Sequence, residues 1–317
     1  MKNNVLTPSL ADAMVRVTEL AAISASKEVG RGDEKKADAA AVDAMRSAFN
    51  EVEFKGRVVI GEGERDEAPM LYIGEEVGTG KGPEIDIALD PLEGTTLTAK
   101  AMANALAVLA IAPRGGLLYA PDTYMDKIAI GPGFPEGLIS LDASPADNIK
   151  ALAKAAKRKV EDMTVCVLDR PRHQDIIDSL RSAGARISLI TDGDVAGVIA
   201  TTDAATGIDM YVGQGGAPEG VLAAAALKCV GGQMFGRLVF RNDDEKKRAA
   251  RTGITDFGKT YSLNELASGD TVFCATGVTN GTMLNGVHHK DGRVYTHTLV
   301  MTSTDGMVRY VRSSRKV

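Results

Sequence analysis

Between residues 145 and 230 the chain alternates short aliphatic runs with amphipathic stretches, and this alternation restricts the fold more than any other feature. Pro145 to Arg158 has the spacing of a polar-faced helix, Val165 to Leu168 of a strand, Arg172 to Ala183 of a helix and Arg186 to Ile190 of a strand. Val195 to Ala200 then reads as a short helix, Asp209 to Val212 as a strand and Pro218 to Cys229 as a helix. The order predicts parallel strands with helices packed on them, because each crossover between parallel strands must lay its own apolar stripe on the sheet. The 317 residues suffice for one large domain or two ordinary ones, and a division into residues 1–160 and 161–317 is expected.

The N-terminal half is less regular. Ser9 to Val29 predicts a helix capped by Ser9, and about Asp38 to Phe49 a second. Arg57 to Ile60 and Ala105 to Ala112 read as strands, and Glu84 to Asp90 as a strand that emerges at Asp90. Leu117 to Tyr119 and Lys127 to Ile130 look like a strand pair, and Arg293 to Arg312 like two strands joined at Asp305-Gly306. Asn242 to Arg251 is a charge run, read as a solvated helix or loop.

Composition removes several classes of function. The net charge of -5 and the lack of Trp argue against a general nucleic-acid binder, which needs a basic surface and aromatic stacking platforms. No apolar run is long enough to span a bilayer, and Met1 to Asp12 lacks the basic-then-apolar pattern of a signal peptide, so the chain reads as cytoplasmic. Cys166, Cys229 and Cys274 are isolated among apolar neighbours, as buried reduced thiols are.

The chemistry concentrates in Asp90-Pro91-Leu92-Glu93-Gly94-Thr95-Thr96, directly after an apolar strand. In open α/β sheets ligands bind outside the carboxyl ends of strands, where Asp90 and Glu93 would present carboxylates and Thr95 and Thr96 hydroxyls. The simpler reading is a capped helix start. Gly61-Glu62-Gly63-Glu64-Arg65-Asp66-Glu67 puts four further acids at another strand end, a run that is unfavourable unless solvated or neutralised by cations. Asp33 follows Gly30-Arg31-Gly32, and Glu219 opens a helix after Gly213-Gln214-Gly215-Gly216-Ala217-Pro218; a cap and a plain glycine turn are the bland alternatives. An oxygen-rich set of this kind selects Mg²⁺ or Mn²⁺, and none of the four histidines forms a zinc motif.

In this order the motifs resemble those of class II fructose-1,6-bisphosphatases, within the lithium-sensitive phosphatase fold group. The resemblance runs from about Ala11 to Val300. It includes Gly30-Arg31-Gly32-Asp33, the block from Val59 to Glu75, Asp90 to Thr95, Ala120 to Met125, Arg170-Pro171-Arg172-His173, Asp192-Gly193-Asp194-Val195 and Gly215 to Gly220. It implies a layered α/β sandwich of the sugar-phosphatase type, with two sub-domains, one metal-binding and one substrate-binding, flanking an active-site cleft. By resemblance Asp33, Glu62, Asp90, Glu93 and Glu219 match metal ligands for Mg²⁺ or Mn²⁺. Glu93, Gly94, Thr95, Tyr124, Arg170, Pro171, Arg172, Asp192, Gly193, Asp194 and Gly216 match substrate-binding positions, and Asp66 with Thr95 the pair that positions the attacking water. The implied reaction is hydrolysis of the 1-phosphate of fructose 1,6-bisphosphate by a homo-oligomer, dimer or tetramer, in gluconeogenesis or related sugar-phosphate metabolism. Activity on sedoheptulose 1,7-bisphosphate or on inositol phosphates is one alternative, and a catalytically silent sugar-phosphate-binding protein another. Gly78 to Glu84 is short where some dual-substrate photosynthetic members carry an insertion, which bears on substrate range.

Overall fold

The computed structural model describes residues 5–63 and 70–316. In chain order the elements are α1 (Pro8–Ser26), α2 (Glu34–Phe49), β1 (Lys55–Ile60), β2 (Glu76–Val77), β3 (Glu84–Glu93), α3 (Thr95–Ala99), β4 (Leu106–Pro113) and β5 (Tyr124–Ile130). Then come α4 (Pro145–Ala156), β6 (Thr164–Leu168), α5 (Gln174–Ser182), β7 (Arg186–Ile190), α6 (Asp194–Ile199), β8 (Met210–Gly216), α7 (Ala217–Val230) and β9 (Gln233–Val239). The chain finishes with α8 (Asp243–Arg251), β10 (Thr260–Ser262), α9 (Leu263–Leu266), β11 (Val272–Gly277), β12 (His288–Lys290), β13 (Arg293–Thr302) and β14 (Met307–Lys316). This is a layered α/β fold with two mixed sheets.

Two compact units form. One holds the chain up to Leu118 together with the segment from Ala267 onward, and the other holds Tyr119–Leu266. The division expected at residue 160 falls inside the second unit. Backbone ladders decide this: β5 pairs along its length with β8 and β9, while β11 returns to pair with β4 from Val272↔Ile111 to Gly277↔Leu106. Leu117 does not pair with β5 as expected; it makes an isolated bridge to Ala267.

In the first unit the strand order is β12-β13-β11-β4-β3-β1-β2, with β14 added on β13. Helix α1 starts one residue before the expected cap. Thr7 accepts from Leu10 N at 3.2 Å and Pro8 takes the first helical position, where its fixed φ helps and its missing N–H costs nothing. Met14, Val17 and Ala21 of α1 and Ala41 and Met45 of α2 share one core with Ile87, Leu109 and Val300. Under α1 the Thr276 hydroxyl joins those of Thr18 and Thr298, each at 2.8 Å, so the buried oxygens are satisfied. Strand β3 does not stop at Asp90. It runs on to Glu93 through a register shift against β4, and Pro91, which cannot donate to a ladder, sits in that irregularity.

In the second unit the order is β10-β9-β5-β8-β6-β7. The alternation read from the sequence delivers parallel pairing for β6 with β7 and with β8, whereas β5 runs antiparallel to both β8 and β9. Ile128, Ile149, Leu152, Val165, Leu180 and Met210 form its core. The charge run at 242–251 is helix α8, capped by Asn242, and all three cysteines are buried and free. Among the described residues no helix is long and apolar enough to cross a membrane.

Candidate active site

The predicted residues fall into two sets, one on each unit. In the first, β1 and β3 are parallel neighbours with Ile60 opposite Ala88. Glu62 and Asp90 each lie two residues beyond that pair, so both acids sit just past the end of the β1–β3 pairing, toward the carboxyl ends where α/β ligands gather. Asp33 caps α2, accepting from Lys36 N at 3.0 Å. Its loop is tied to α3: Gly30 N donates to Thr98 O at 2.9 Å, Gly32 N to Ala99 O at 3.0 Å, and Thr96 Oγ1 to Glu34 Oε1 at 2.9 Å. Asp90 Oδ1 accepts from Leu92 N at 3.0 Å, and Glu93 is buried. Gly94 adopts φ 89°, ψ 52°, the left-handed conformation that turns the strand into α3 and starts the helix at Thr95. Asp66 lies outside the described residues.

Burial pushes the Glu62 carboxyl up to about 8, and the charge of Asp38 adds to the shift. Asp38 is itself raised by burial. Sequence reasoning missed this residue. The available signal was Glu34 and Asp38 at i,i+4 on α2, a like-charge spacing that helices disfavour unless something neutralises it.

In the second unit Tyr124 opens β5 opposite Gly216 of β8 and Val239 of β9. Arg172 comes from the turn before α5. Its guanidinium carbon lies 5.0 Å from the Tyr124 ring centroid, and its Nε and Nη2 donate to Gln214 O at 3.3 and 2.8 Å. Arg170 donates to the Asp169 carbonyl beside it, and Pro171 starts the turn. His173, outside the predicted set, fixes this turn. Gln214 N donates to its Nε2 at 2.8 Å, so Nδ1 carries the proton and donates to Leu168 O at 2.7 Å. Burial is the largest cause that lowers its pKa, with Arg172 and Arg170 adding to it, and both contacts require the neutral ring.

Gly193 starts α6 with φ 83°, ψ 57°, and its N–H bonds the Asp192 Oδ1 at 3.1 Å. Asp194, 5% exposed, is ion-paired with Lys127, itself 1% exposed, and takes a further hydrogen bond from the Tyr211 hydroxyl at 3.4 Å. Lys127 also donates to Gly216 O at 2.9 Å. The glycine run 215–216 serves these side chains. A Cβ at Gly215 would stand 2.0 Å from Asp194 Oδ2, and one at Gly216 would stand 1.9 Å from Glu219 Oε2.

The donor set bears on a cation. Glu219 Oε2 is buried with no hydrogen-bond partner among the described residues. Burial raises the Glu219 carboxyl to about 7, Asp194 adds to the shift and Lys127 opposes it. A buried carboxylate oxygen left without a donor is costly, and a hard cation is the partner an oxygen-only set accepts. Among the described residues no three His, Cys, Asp or Glu side chains converge as a ready-made metal cage. The oxygen-only side chain of Glu219, with its buried Oε2, is of a kind that suits a hard divalent cation.

A layered α/β fold with acids at its strand ends and a basic–aromatic turn defines a phosphoric monoester hydrolase once it is set beside known proteins. Residues 8–315 match the family model described as bacterial fructose-1,6-bisphosphatase, glpX-encoded, and the chain belongs to that family. Similar proteins include a "D-fructose 1,6-bisphosphatase class 2/sedoheptulose 1,7-bisphosphatase" of Synechococcus sp. (strain JA-3-3Ab), 45% identical over 94% of this chain and 93% of that protein. Proteins of the same description from Synechococcus sp. (strain JA-2-3B'a(2-13)) and Prochlorococcus marinus (strain MIT 9312) are 44% and 42% identical, covering 94% and 97% of this chain and 93% and 96% of theirs.

Proposed function

We propose that the chain removes the 1-phosphate of fructose 1,6-bisphosphate with Mg²⁺ or Mn²⁺ held by Asp33, Glu62, Asp90, Glu93 and Glu219. When bound, the cation supplies Lewis-acid neutralisation of phosphoryl charge. The chain's own residues do the rest. Thr95 Oγ1 and the Asp66 carboxylate orient the attacking water, and Asp66 takes its proton. Tyr124, Arg170, Pro171 and Arg172 bind the phosphate that is not cleaved, while Asp192, Gly193, Asp194 and Gly216 line the sugar, the Asp194 carboxylate being held by Lys127. The observation that carries this reading is the segregation of charge. Acids end β1 and β3, and the cation of Arg172 lies on an aromatic ring with only a neutral carbonyl as its anchor. Such a guanidinium is suited to bind the oxygens of a second phosphate.

The names of the Synechococcus and Prochlorococcus relatives support sedoheptulose 1,7-bisphosphate as a second substrate of this chain. A cytoplasmic location and a homo-oligomer, dimer or tetramer, complete the proposal. The test is a phosphate-release panel on fructose 1,6-bisphosphate, sedoheptulose 1,7-bisphosphate, fructose 6-phosphate and inositol monophosphate. The bisphosphates should dominate in kcat/KM. Thr95→Ala and Asp66→Asn should lower kcat more than they raise KM, since water is oriented chiefly in the transition state. Equal efficiency on inositol monophosphate would sink the substrate assignment, and no hydrolysis at all would favour a silent sugar-phosphate binder.

A further inference from the structure

Arg241 lies between β9 and the Asn242 cap of α8, outside every residue assigned above. Strand pairing explains where it arrives. Val239 is opposite Tyr124 in the β5–β9 ladder, so two further residues carry Arg241 past the Tyr124 ring. Its guanidinium carbon lies 5.0 Å from the ring centroid, the same distance as that of Arg172. Two exposed cations therefore share one aromatic ring, although they come from different parts of the chain.

Each arm is anchored along one edge. Arg172 uses Nε and Nη2 on the Gln214 carbonyl. Arg241 uses Nε and Nη2 on Glu245 Oε1, at 2.7 and 2.5 Å. Glu245 is itself held. It is 1% exposed, and its Oε2 accepts from Arg241 N at 2.7 Å and from Thr123 Oγ1 at 3.0 Å. The Nη1 groups of both arginines have no partner among the described residues. The charge of Arg172 meets no carboxylate at its anchor, and Arg241, held on one edge by Glu245, brings a second guanidinium to the same ring, where one anion could bond both. Glu245 is buried in this pair, so Arg241 also neutralises its carboxylate, and a purely structural role is the alternative that the experiment must separate.

We infer that Arg241 is a second cationic arm of the site for the uncleaved phosphate, closing with Arg172 across Tyr124 on the oxygens of that group. The inference rests on the reading that the substrate is a sugar bisphosphate. It adds a specificity-determining residue from the β9–α8 connection. Planar guanidinium donors fit phosphate oxygens in pairs, and a lysine in the same place keeps the charge but loses the fork.

The experiment compares fructose 1,6-bisphosphate with fructose 1-phosphate, which keeps the reacting phosphate and lacks the distal one. Wild type, Arg241→Ala, Arg241→Lys and Arg172→Ala are assayed with the divalent cation present. The ratio of kcat/KM values, bisphosphate over monophosphate, should fall about tenfold or more in Arg241→Ala, the scale of one charge-assisted hydrogen bond. Arg241→Lys should lose less. Inhibition by fructose 6-phosphate, which carries only the distal phosphate, should weaken in parallel. A wild-type ratio that survives Arg241→Ala with undiminished fructose 6-phosphate inhibition would remove Arg241 from the site. Equal losses on both substrates would assign it a structural role instead. Should Arg241→Ala fail to fold, a Lys variant with the wild-type ratio and wild-type inhibition overturns the inference. A wild-type enzyme that treats the two substrates alike would remove the distal-phosphate reading itself, before any variant is considered.

Discussion

Two turns, one on each unit, carry a strand into a helix by nearly the same backbone. Gly94 before α3 has φ 89°, ψ 52°, and Gly193 before α6 has φ 83°, ψ 57°. Both follow an acid, Glu93 in one and Asp192 in the other. They differ in what surrounds the charge. In the second unit, Asp194 faces the buried ammonium of Lys127, and Glu245 faces Arg241. At the ends of β1 and β3 the acid Glu62 sits beside another acid, Asp38, and its carboxyl is held up at about 8. Like backbones thus support opposite electrostatic solutions. Asp194 is met by a counter-charge of its own unit, whereas Glu62 has another acid for its neighbour. Glu219 is the instructive exception, because it belongs to the second unit yet keeps a buried oxygen without a hydrogen-bond partner among the described residues.

The largest effect should come from withholding the cation. Chelated protein should release no phosphate above background from fructose 1,6-bisphosphate, and Mg²⁺ or Mn²⁺ should restore turnover. Full turnover with the metal confirmed absent would break the contrast between the units at once. Next comes the internal counter-charge. Lys127→Met leaves the Asp194 carboxylate buried and unpaired, and removing one member of such a pair costs about 3–5 kcal/mol. Urea denaturation measures it. Lys127→Met combined with Asp194→Leu should recover much of the loss, because the stranded charge is gone; no recovery would mean that packing, rather than charge, holds this place.

The turns themselves predict a smaller effect. Gly94→Ala and Gly193→Ala put a Cβ on a left-handed residue, at about 1–2 kcal/mol each. At Gly94 the new Cβ would also stand 2.8 Å from the Leu97 side chain, which adds a clash to the backbone penalty there. Equal thermal shifts would show that backbone conformation alone sets the penalty. The last effect concerns pH. The folded Glu62 carboxyl titrates near 8 against an ordinary 4.5, so between those values the folded state holds a proton that the unfolded state has released. Stability of the metal-free protein should therefore fall as pH rises from about 4.5 to about 8, and Glu62→Gln should flatten that part of the profile. A profile unchanged by the substitution would move Glu62 out of the buried acidic site.

The sequence showed the elements well where periodicity is local. Arg186 to Ile190 is β7 residue for residue, and α4 and α7 lie within two residues of their expected limits. Caps were less legible. Thr7 rather than Ser9 caps α1 because Pro8 between them is pre-set for the first helical position, and Asp33 starts α2 earlier than its apolar stripe suggests. The motif turns Glu93-Gly94-Thr95 and Asp192-Gly193-Asp194 were visible because a left-handed residue between strand and helix calls for glycine. His173 escaped, since a histidine bound to two backbone groups carries no local mark, and Asp38 left only the weak mark of its i,i+4 spacing from Glu34.

By itself the sequence determined the α/β alternation, the strand-end acids and membership of the family, all of which rest on short-range patterns or on motifs in order. Only the tertiary structure decided which strands pair, that the C-terminal strands complete the first sheet, and that Lys127 meets Asp194 and Arg241 meets the Tyr124 ring. The physical reason is that period and turn chemistry act over a few residues, whereas ladder partners and ion pairs are chosen by what the packed chain brings together. A lysine in a strand reads as surface until the fold buries it, and an arginine before a helix reads as solvated until the β5–β9 register sets it against an aromatic ring.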